Sequence, residues 1–114
     1  MRVWRWGNDT YRTGYRIFTV FFSKALGIDC YIFHYMKGSY IPKHKDPGKH
    51  CKVYRLNIEL RKAKKGGEFK CKNTIWQWRN RIYCFRADAN YHQVTPIEEG
   101  SRWVLSFGRN VKRN

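Results

Sequence analysis

Acidic residues are scarce in this chain. Eight Asp and Glu stand against twenty-four Lys and Arg among 114 residues, for a formal net charge of +16. Such an imbalance says little about fold and much about partners. It favours polyanions: nucleic acid first, an acidic protein surface or an anionic membrane second. The plain alternative is a solvated basic surface. Long apolar runs are also missing. No stretch approaches the roughly 20 residues that cross a bilayer, and residues 1–6 lack the apolar core of a secretory signal. A cytoplasmic protein with no membrane partner is therefore expected, in the host cytoplasm if the gene is viral. In that compartment Cys30, Cys51, Cys71 and Cys84 should be reduced thiols. None forms a C-x-x-C pair, so a structural zinc site of the usual kind is not indicated. Internal repeats, low-complexity blocks and room for long helices are absent too.

Aromatic residues are plentiful, at 18% of the chain with five Trp and eight Tyr. That rules out the composition of a disordered chain and supplies bulky apolar area for a core. One domain covering residues 1–114 is expected at this length, with its core at about residues 31–108.

Short runs of aromatic and β-branched residues alternate with turn residues. The runs are 17–22, 30–36, 40–44, 53–60, 67–71, 74–78, 81–85, 92–95 and 101–107. Their spacing predicts an all-β sandwich or barrel. Residues 23–29 read as a turn or a single helical turn. Residues 62–67 (KAKKGG) read as a basic hairpin loop, and the sequence Asp46-Pro47-Gly48 as a turn. Residues 98–100 read as a tight connection, and residues 109–114 as a short basic tail. Alternation is clearest in 53–60. Val53, Arg55, Asn57 and Glu59 share one face; Tyr54, Leu56, Ile58 and Leu60 share the other. A polar inward face suits a strand that lines a binding cavity.

His44-Lys45-Asp46 is an H-x-D triplet. On an extended chain positions i and i+2 point the same way, so both donors face the cavity and Lys45 faces out. Two His and one carboxylate that leave open positions opposite suit non-haem Fe(II) oxygenases. His92, at the start of a late strand, supplies the second imidazole. Ten positions later, in the last strand, comes Arg102. An Arg there can grip a carboxylate with two parallel hydrogen bonds, which suits the distal carboxylate of 2-oxoglutarate.

The stretch from Tyr35 to Gly108 resembles the core of the Fe(II)/2-oxoglutarate-dependent dioxygenases, nearest the prolyl 4-hydroxylase-like branch. Tyr35-Met36-Lys37-Gly38-Ser39-Tyr40 and His44-Lys45-Asp46 look like its Y-x-x-G-x-Y…H-x-D opening. Tyr54-Arg55-Leu56-Asn57 and Gly66-Gly67-Glu68-Phe69 look like its strand ending in Leu-Asn and its Gly-Gly-Glu turn. His92-Gln93-Val94-Thr95-Pro96 and Gly100-Ser101-Arg102 look like its H-x-V-x-P…G-x-R close. The resemblance implies a double-stranded β-helix, a jelly-roll, cupin-like barrel with little helix. It implies Fe(II) held by His44, Asp46 and His92, with 2-oxoglutarate and O2 as cosubstrates. Arg102 would bind the distal carboxylate, assisted by Tyr35, with Arg55 or Tyr54 bordering the pocket. The implied reaction hydroxylates a macromolecule, a protein side chain or nucleic acid, and releases succinate and CO2. Members usually carry helices ahead of this core, and about thirty residues precede it here.

Each site residue also has a plainer reading. The triad reads otherwise as two surface histidines and a turn-forming Asp; Arg102 as an ion pair with Glu98 or Glu99; Tyr35 as core packing. His34 and His50 do not read as ligands, and Asn57 lines the cavity or bonds a neighbour. Trp4-Arg5-Trp6 and Trp76-Gln77-Trp78-Arg79 read either as base-stacking surfaces or as barrel cover. The competing function is a non-catalytic basic β-barrel module that binds nucleic acid. A cysteine-ligated zinc fold is a third reading, disfavoured by spacing.

Overall fold

β-Branched and aromatic side chains fit a pleated, half-buried surface, and the runs rich in them are extended. The computed structural model describes residues 14–46, 51–79 and 81–112 with their side chains, and residues 2–7 by backbone alone. Among these the strands are β1 (Arg2–Gly7), β2 (Arg16–Ser23), β3 (Ile28–Tyr35), β4 (Ile41–His44), β5 (Cys51–Arg61) and β6 (Lys65–Gly66). They continue with β7 (Phe69–Cys71), β8 (Trp76–Trp78), β9 (Ile82–Arg86), β10 (His92–Val94), β11 (Ile97–Glu99) and β12 (Arg102–Lys112). Among the described residues no helix is long and apolar enough to cross a membrane.

A seven-stranded sheet runs in the order β1-β2-β3-β12-β5-β9-β8, and a three-stranded sheet in the order β4-β10-β7. Every described pairing is antiparallel. Passing from β3 to β4, β5, β7, β9, β10 and β12, the chain alternates between the two sheets. This is the winding of a jelly roll. The all-β, jelly-roll expectation holds, and its predicted runs fall on strands.

The differences lie at the ends and turns. A strand at residues 2–7 precedes the first predicted run. Residues 97–99 form β11, paired with β6, where a tight connection was expected. Residues 109–112 extend β12 rather than forming a tail, because Arg109 to Lys112 pair with Tyr54 to Cys51 of β5. Residues 24–27 form the turn between β2 and β3. The Pro47-Gly48 part of the predicted turn, His50 and the side chains of Trp4-Arg5-Trp6 lie outside the described residues.

Between the sheets the large sheet contributes Tyr35 and Val104, the small sheet Val94, and the neighbouring segments Tyr15 and Ile97; Ile41 and Phe69 pack against them. A second cluster joins Val53, Tyr83, Phe85 and Ala87. Gly66 and Gly67, at φ +76 and +64, allow β6 to lie close against the segment around Pro96 and Ile97. A Cβ on Gly66 would collide with the Pro96 carbonyl oxygen, and one on Gly67 with Ile97 Cδ1. The pair therefore serves close approach as well as the turn.

Candidate metal centre and its cavity

Antiparallel pairing places residues of separate strands side by side. His44, ending β4, pairs with His92, opening β10. Their rings stand 4.2 Å apart, centre to centre. Asp46 follows two residues after His44, anchored by its backbone N–H donating to the Ala87 carbonyl at 2.8 Å. Its Oδ1 lies 3.3 Å from His44 Nε2 and 3.6 Å from His92 Nε2. One donor atom from each residue falls within 4.8 Å of the others.

The histidine tautomers follow from their other nitrogens. His44 Nδ1 is 2.7 Å from the Pro42 carbonyl oxygen, and His92 Nδ1 is 3.0 Å from that of Asn90. A carbonyl only accepts, so each Nδ1 carries the proton and donates. In the neutral ring that leaves the Nε2 lone pair directed at Asp46, the orientation metal-binding histidines adopt. Nitrogen and oxygen donors sit about 2.0–2.2 Å from such a metal, so donors at right angles stand about 3 Å apart. The two separations from Asp46 need little contraction to reach that, and the donor set fits a divalent ion.

Without a metal the three groups hold one another. Burial pulls the Asp46 carboxyl upward, but the imidazoles of His44 and His92 outweigh burial and hold it well below the usual carboxylate range. Burial lowers His44, yet its bonds to Asp46 and the Pro42 carbonyl carry it above the ordinary imidazole value. Phe85 and Phe69 wall the site, with ring centres 5.0 and 6.4 Å from that of His92. Lys45 points away, its ammonium 4.5 Å from the Tyr91 ring centre.

A cavity of about 470 Å³ opens from the triad between the sheets. Tyr35, Arg55, Asn57, Arg102 and Ser106 all line it. The polar face of β5 is thus the inward one. Tyr54 points the other way, beneath the Arg86 guanidinium at 5.7 Å. Of the two, Arg55 is therefore the one that lines the cavity. His34 also lies outside the cavity, stacked 4.0 Å from Trp103.

Each cavity guanidinium already has an acidic partner that the sequence reading did not assign. Arg102 is buried and donates through Nε to Glu59 Oε2. Its partner is neither Glu98 nor Glu99: those lie on β11, both exposed, while Glu59 points inward from β5. Lys62 lies 3.7 Å from the other Glu59 oxygen, so two cations share one carboxylate and the cluster nets +1. The Arg102 guanidinium lies 5.0 Å from the Tyr35 ring centre. Burial, partly offset by Arg102, pushes the Tyr35 hydroxyl up to about 12, so it stays protonated at neutral pH. Tyr35 is both core and cavity wall.

Arg55 belongs to a second network. Its Nη2 donates to Asp29 Oδ1 at 2.8 Å, and its Nε to Ser106 Oγ at 3.0 Å. The Ser106 hydroxyl donates to Asn57 Oδ1 at 2.5 Å. Register explains the reach. Arg55, Gly108 and Asp29 form one row across three strands. The guanidinium crosses the space a Gly108 side chain would fill; a Cβ there would collide with Arg55 Nη1. Polar residues at alternate positions of β5 were the signal for this wall. That alternation included Glu59; Asp29 carried no sign.

No protein-family model matches the sequence, and no curated protein is similar to it. Similarity emerges in three dimensions. The chain matches a cupin-2 domain protein of Rhodospirillum rubrum with a TM-score of 0.56 at 9% identity, covering 88% of this chain and 62% of that one. It matches a chain of the Rhodobacter sphaeroides SigE complex with the anti-sigma ChrR with a TM-score of 0.53 at 16% identity, covering 92% of this chain and 48% of that one. The chain therefore spans less than two thirds of either neighbour. At such identities the likeness concerns the fold alone. Fold and site together define a cupin-like jelly roll with a His-Asp-His cluster able to hold a metal ion. Neither neighbour supports the expected prolyl 4-hydroxylase-like branch.

Proposed function

We propose that this chain is an Fe(II)- and 2-oxoglutarate-dependent dioxygenase that hydroxylates a macromolecule. The observation that carries this reading is the meeting of His44, Asp46 and His92 at one end of a jelly-roll cavity whose wall also holds Arg102 and Tyr35. With Fe(II) and 2-oxoglutarate bound, the site would supply the oxidising chemistry: one oxygen atom of O2 enters the substrate C–H bond and the other enters succinate, with loss of CO2. The protein's share is placement. His44, Asp46 and His92 take one face of the ion and leave the opposite face for ligands. Glu59 holds Arg102 through Nε, which fixes the plane of the guanidinium; the η edge can then take the distal carboxylate, aided by the protonated Tyr35 hydroxyl. The +1 charge of the Arg102–Glu59–Lys62 cluster favours that anion. Phe69 and Phe85 exclude water beside His92. The excess of basic residues suits a polyanionic substrate, nucleic acid before acidic protein.

The test begins without oxygen. Fe(II) and then 2-oxoglutarate are added, and the reading expects a visible charge-transfer band that His44→Ala and His92→Ala abolish. Admitting oxygen with DNA, RNA or protein extracts should release succinate faster with at least one polymer. A chain with neither band nor succinate release would instead be the non-catalytic, basic nucleic-acid-binding module.

A further inference from the structure

The seven-stranded sheet has two faces, and the cavity uses only one. Residues directly opposite in a ladder point to the same side. One row of the outer face therefore reads Phe18, Ile32, Leu105, Ile58, Ile82 and Trp78 across β2, β3, β12, β5, β9 and β8. A second row reads Phe107, Leu56, Cys84 and Trp76. The inner face lines the cavity together with the three-stranded sheet, whereas Phe18, Ile32, Leu105, Ile58 and Ile82 of the outer face are all part-exposed. Trp76 is 52% exposed and Trp78 45%, side by side on the edge strand β8.

Among the described residues of its strands, the charged side chains on this face are all basic. Alternation along the strands puts Arg16, Lys52, Arg86 and Arg109 on it, with Arg86 held by Asp88 beyond the end of β9. The only acids within these strands, Asp29 and Glu59, turn inward to Arg55 and Arg102. At the end of β8 the Arg79 guanidinium lies 4.8 Å from the Trp78 ring centre.

From these observations we infer that the outer face, centred on Trp76, Trp78 and Arg79, binds single-stranded nucleic acid. Exposed aromatic rings on an open sheet stack unpaired bases, and bordering cations meet the phosphates. Residues i and i+2 of a strand stand about 6.8 Å apart. That is twice the roughly 3.4 Å rise between stacked bases, so one base fits between the two indoles. A duplex keeps its bases paired and cannot offer them. A second copy of this chain would bring like charges together on a molecule of net charge +16. The inference does not depend on the metal centre.

The test measures anisotropy of a labelled 20-nucleotide oligo(dT) and of a duplex of equal length, with EDTA present so that the triad holds no metal. The single strand should bind more tightly, with log K falling linearly as log salt rises. Trp76→Ala/Trp78→Ala should lose about tenfold for each ring removed. Trp76→Phe/Trp78→Phe should keep most of the affinity, which separates stacking from misfolding. Arg79→Gln should make the salt slope shallower by about one. Equal binding of duplex and single strand, or indifference to the alanine pair, would reduce the surface to diffuse charge and overturn the inference. So would no binding at low salt. A dimer in light scattering that the alanine pair splits would assign the face to a second copy.

Discussion

Removing the Glu59 carboxylate probes how the cavity is wired. The Arg102 and Glu59 side chains are 2% and 7% exposed, so their bond lies out of water. Glu59→Gln would leave the guanidinium charge uncompensated against the Tyr35 ring. Breaking a buried pair from one side costs roughly 3–5 kcal/mol. The Gln oxygen still accepts from Nε, so the low end applies, about 3 kcal/mol. Lys62, half-exposed and 3.7 Å from Glu59, adds little in either state. A domain of this length loses roughly 4 °C per kcal/mol, so the melting temperature should fall by about 12 °C. Arg102→Met should cost a similar amount by stranding Glu59. The double replacement Arg102→Met/Glu59→Leu should cost well below the sum, because no buried charge remains. The cosubstrate reading adds a second expectation. A ligand at a hundred times its Kd returns about 2.7 kcal/mol. With Mn(II) as a redox-silent metal, 2-oxoglutarate should raise the melting temperature of Glu59→Gln more than that of the unmodified chain, since it supplies the missing carboxylate. Thermal and urea unfolding, with and without 2-oxoglutarate, read both effects. Additive single and double costs would refute the buried-pair reasoning, and an equal 2-oxoglutarate shift in both proteins would refute Arg102 as the carboxylate site.

Other expectations follow from the same geometry. His92→Ala should weaken metal binding by at least tenfold in calorimetric titration while leaving the strand signature in circular dichroism intact. Metal affinity should fall as pH drops through the raised His44 value, because the proton and the metal compete for Nε2; affinity constant from pH 8 to 5 would exclude imidazole ligation. Stability of the metal-free protein runs the other way. The raised His44 contributes fully below the unfolded value of about 6.5 and is lost as pH rises through its folded value; the depressed Asp46 contributes above about 3.9 and is lost as pH falls through its folded value. Metal-free melts should therefore peak between about pH 4 and 6.5 as far as these groups decide, and their contribution is checked by repeating the melts in Asp46→Asn. Gly108→Ala should cost roughly 1–3 kcal/mol by displacing Arg55 from Asp29, with a loss that shrinks in an Asp29→Asn background.

The all-β class and most of its runs were legible because β-branched and aromatic residues cluster between turn formers, a local property. The strand at residues 2–7 and the extension of β12 through residues 109–112 were not. Residues 109–112 are mainly basic or polar, and in 2–7 arginines interrupt Val3, Trp4 and Trp6; both segments are strands through pairing with β5 and β2, which no local pattern reports. The triad was legible for a different reason. His44 and Asp46 sit at strand spacing, and the resemblance supplied His92. What the sequence could not convey is which acid answers which base. Glu98 and Glu99 are nearest to Arg102 in the chain, yet Glu59, forty-three residues away, is its partner. That pairing depends on β5 lying beside β12, with Glu59 opposite Val104. Parity along 53–60 already placed Arg55, Asn57 and Glu59 on one face, so the inward polar wall was visible. An inward charge in a low-dielectric wall requires an opposite charge within reach. Two inward arginines therefore called for two inward acids; parity marked Glu59 as inward, yet it shares that face with Arg55, which pairs instead with Asp29, so the partner of Arg102 came only from the sheet order.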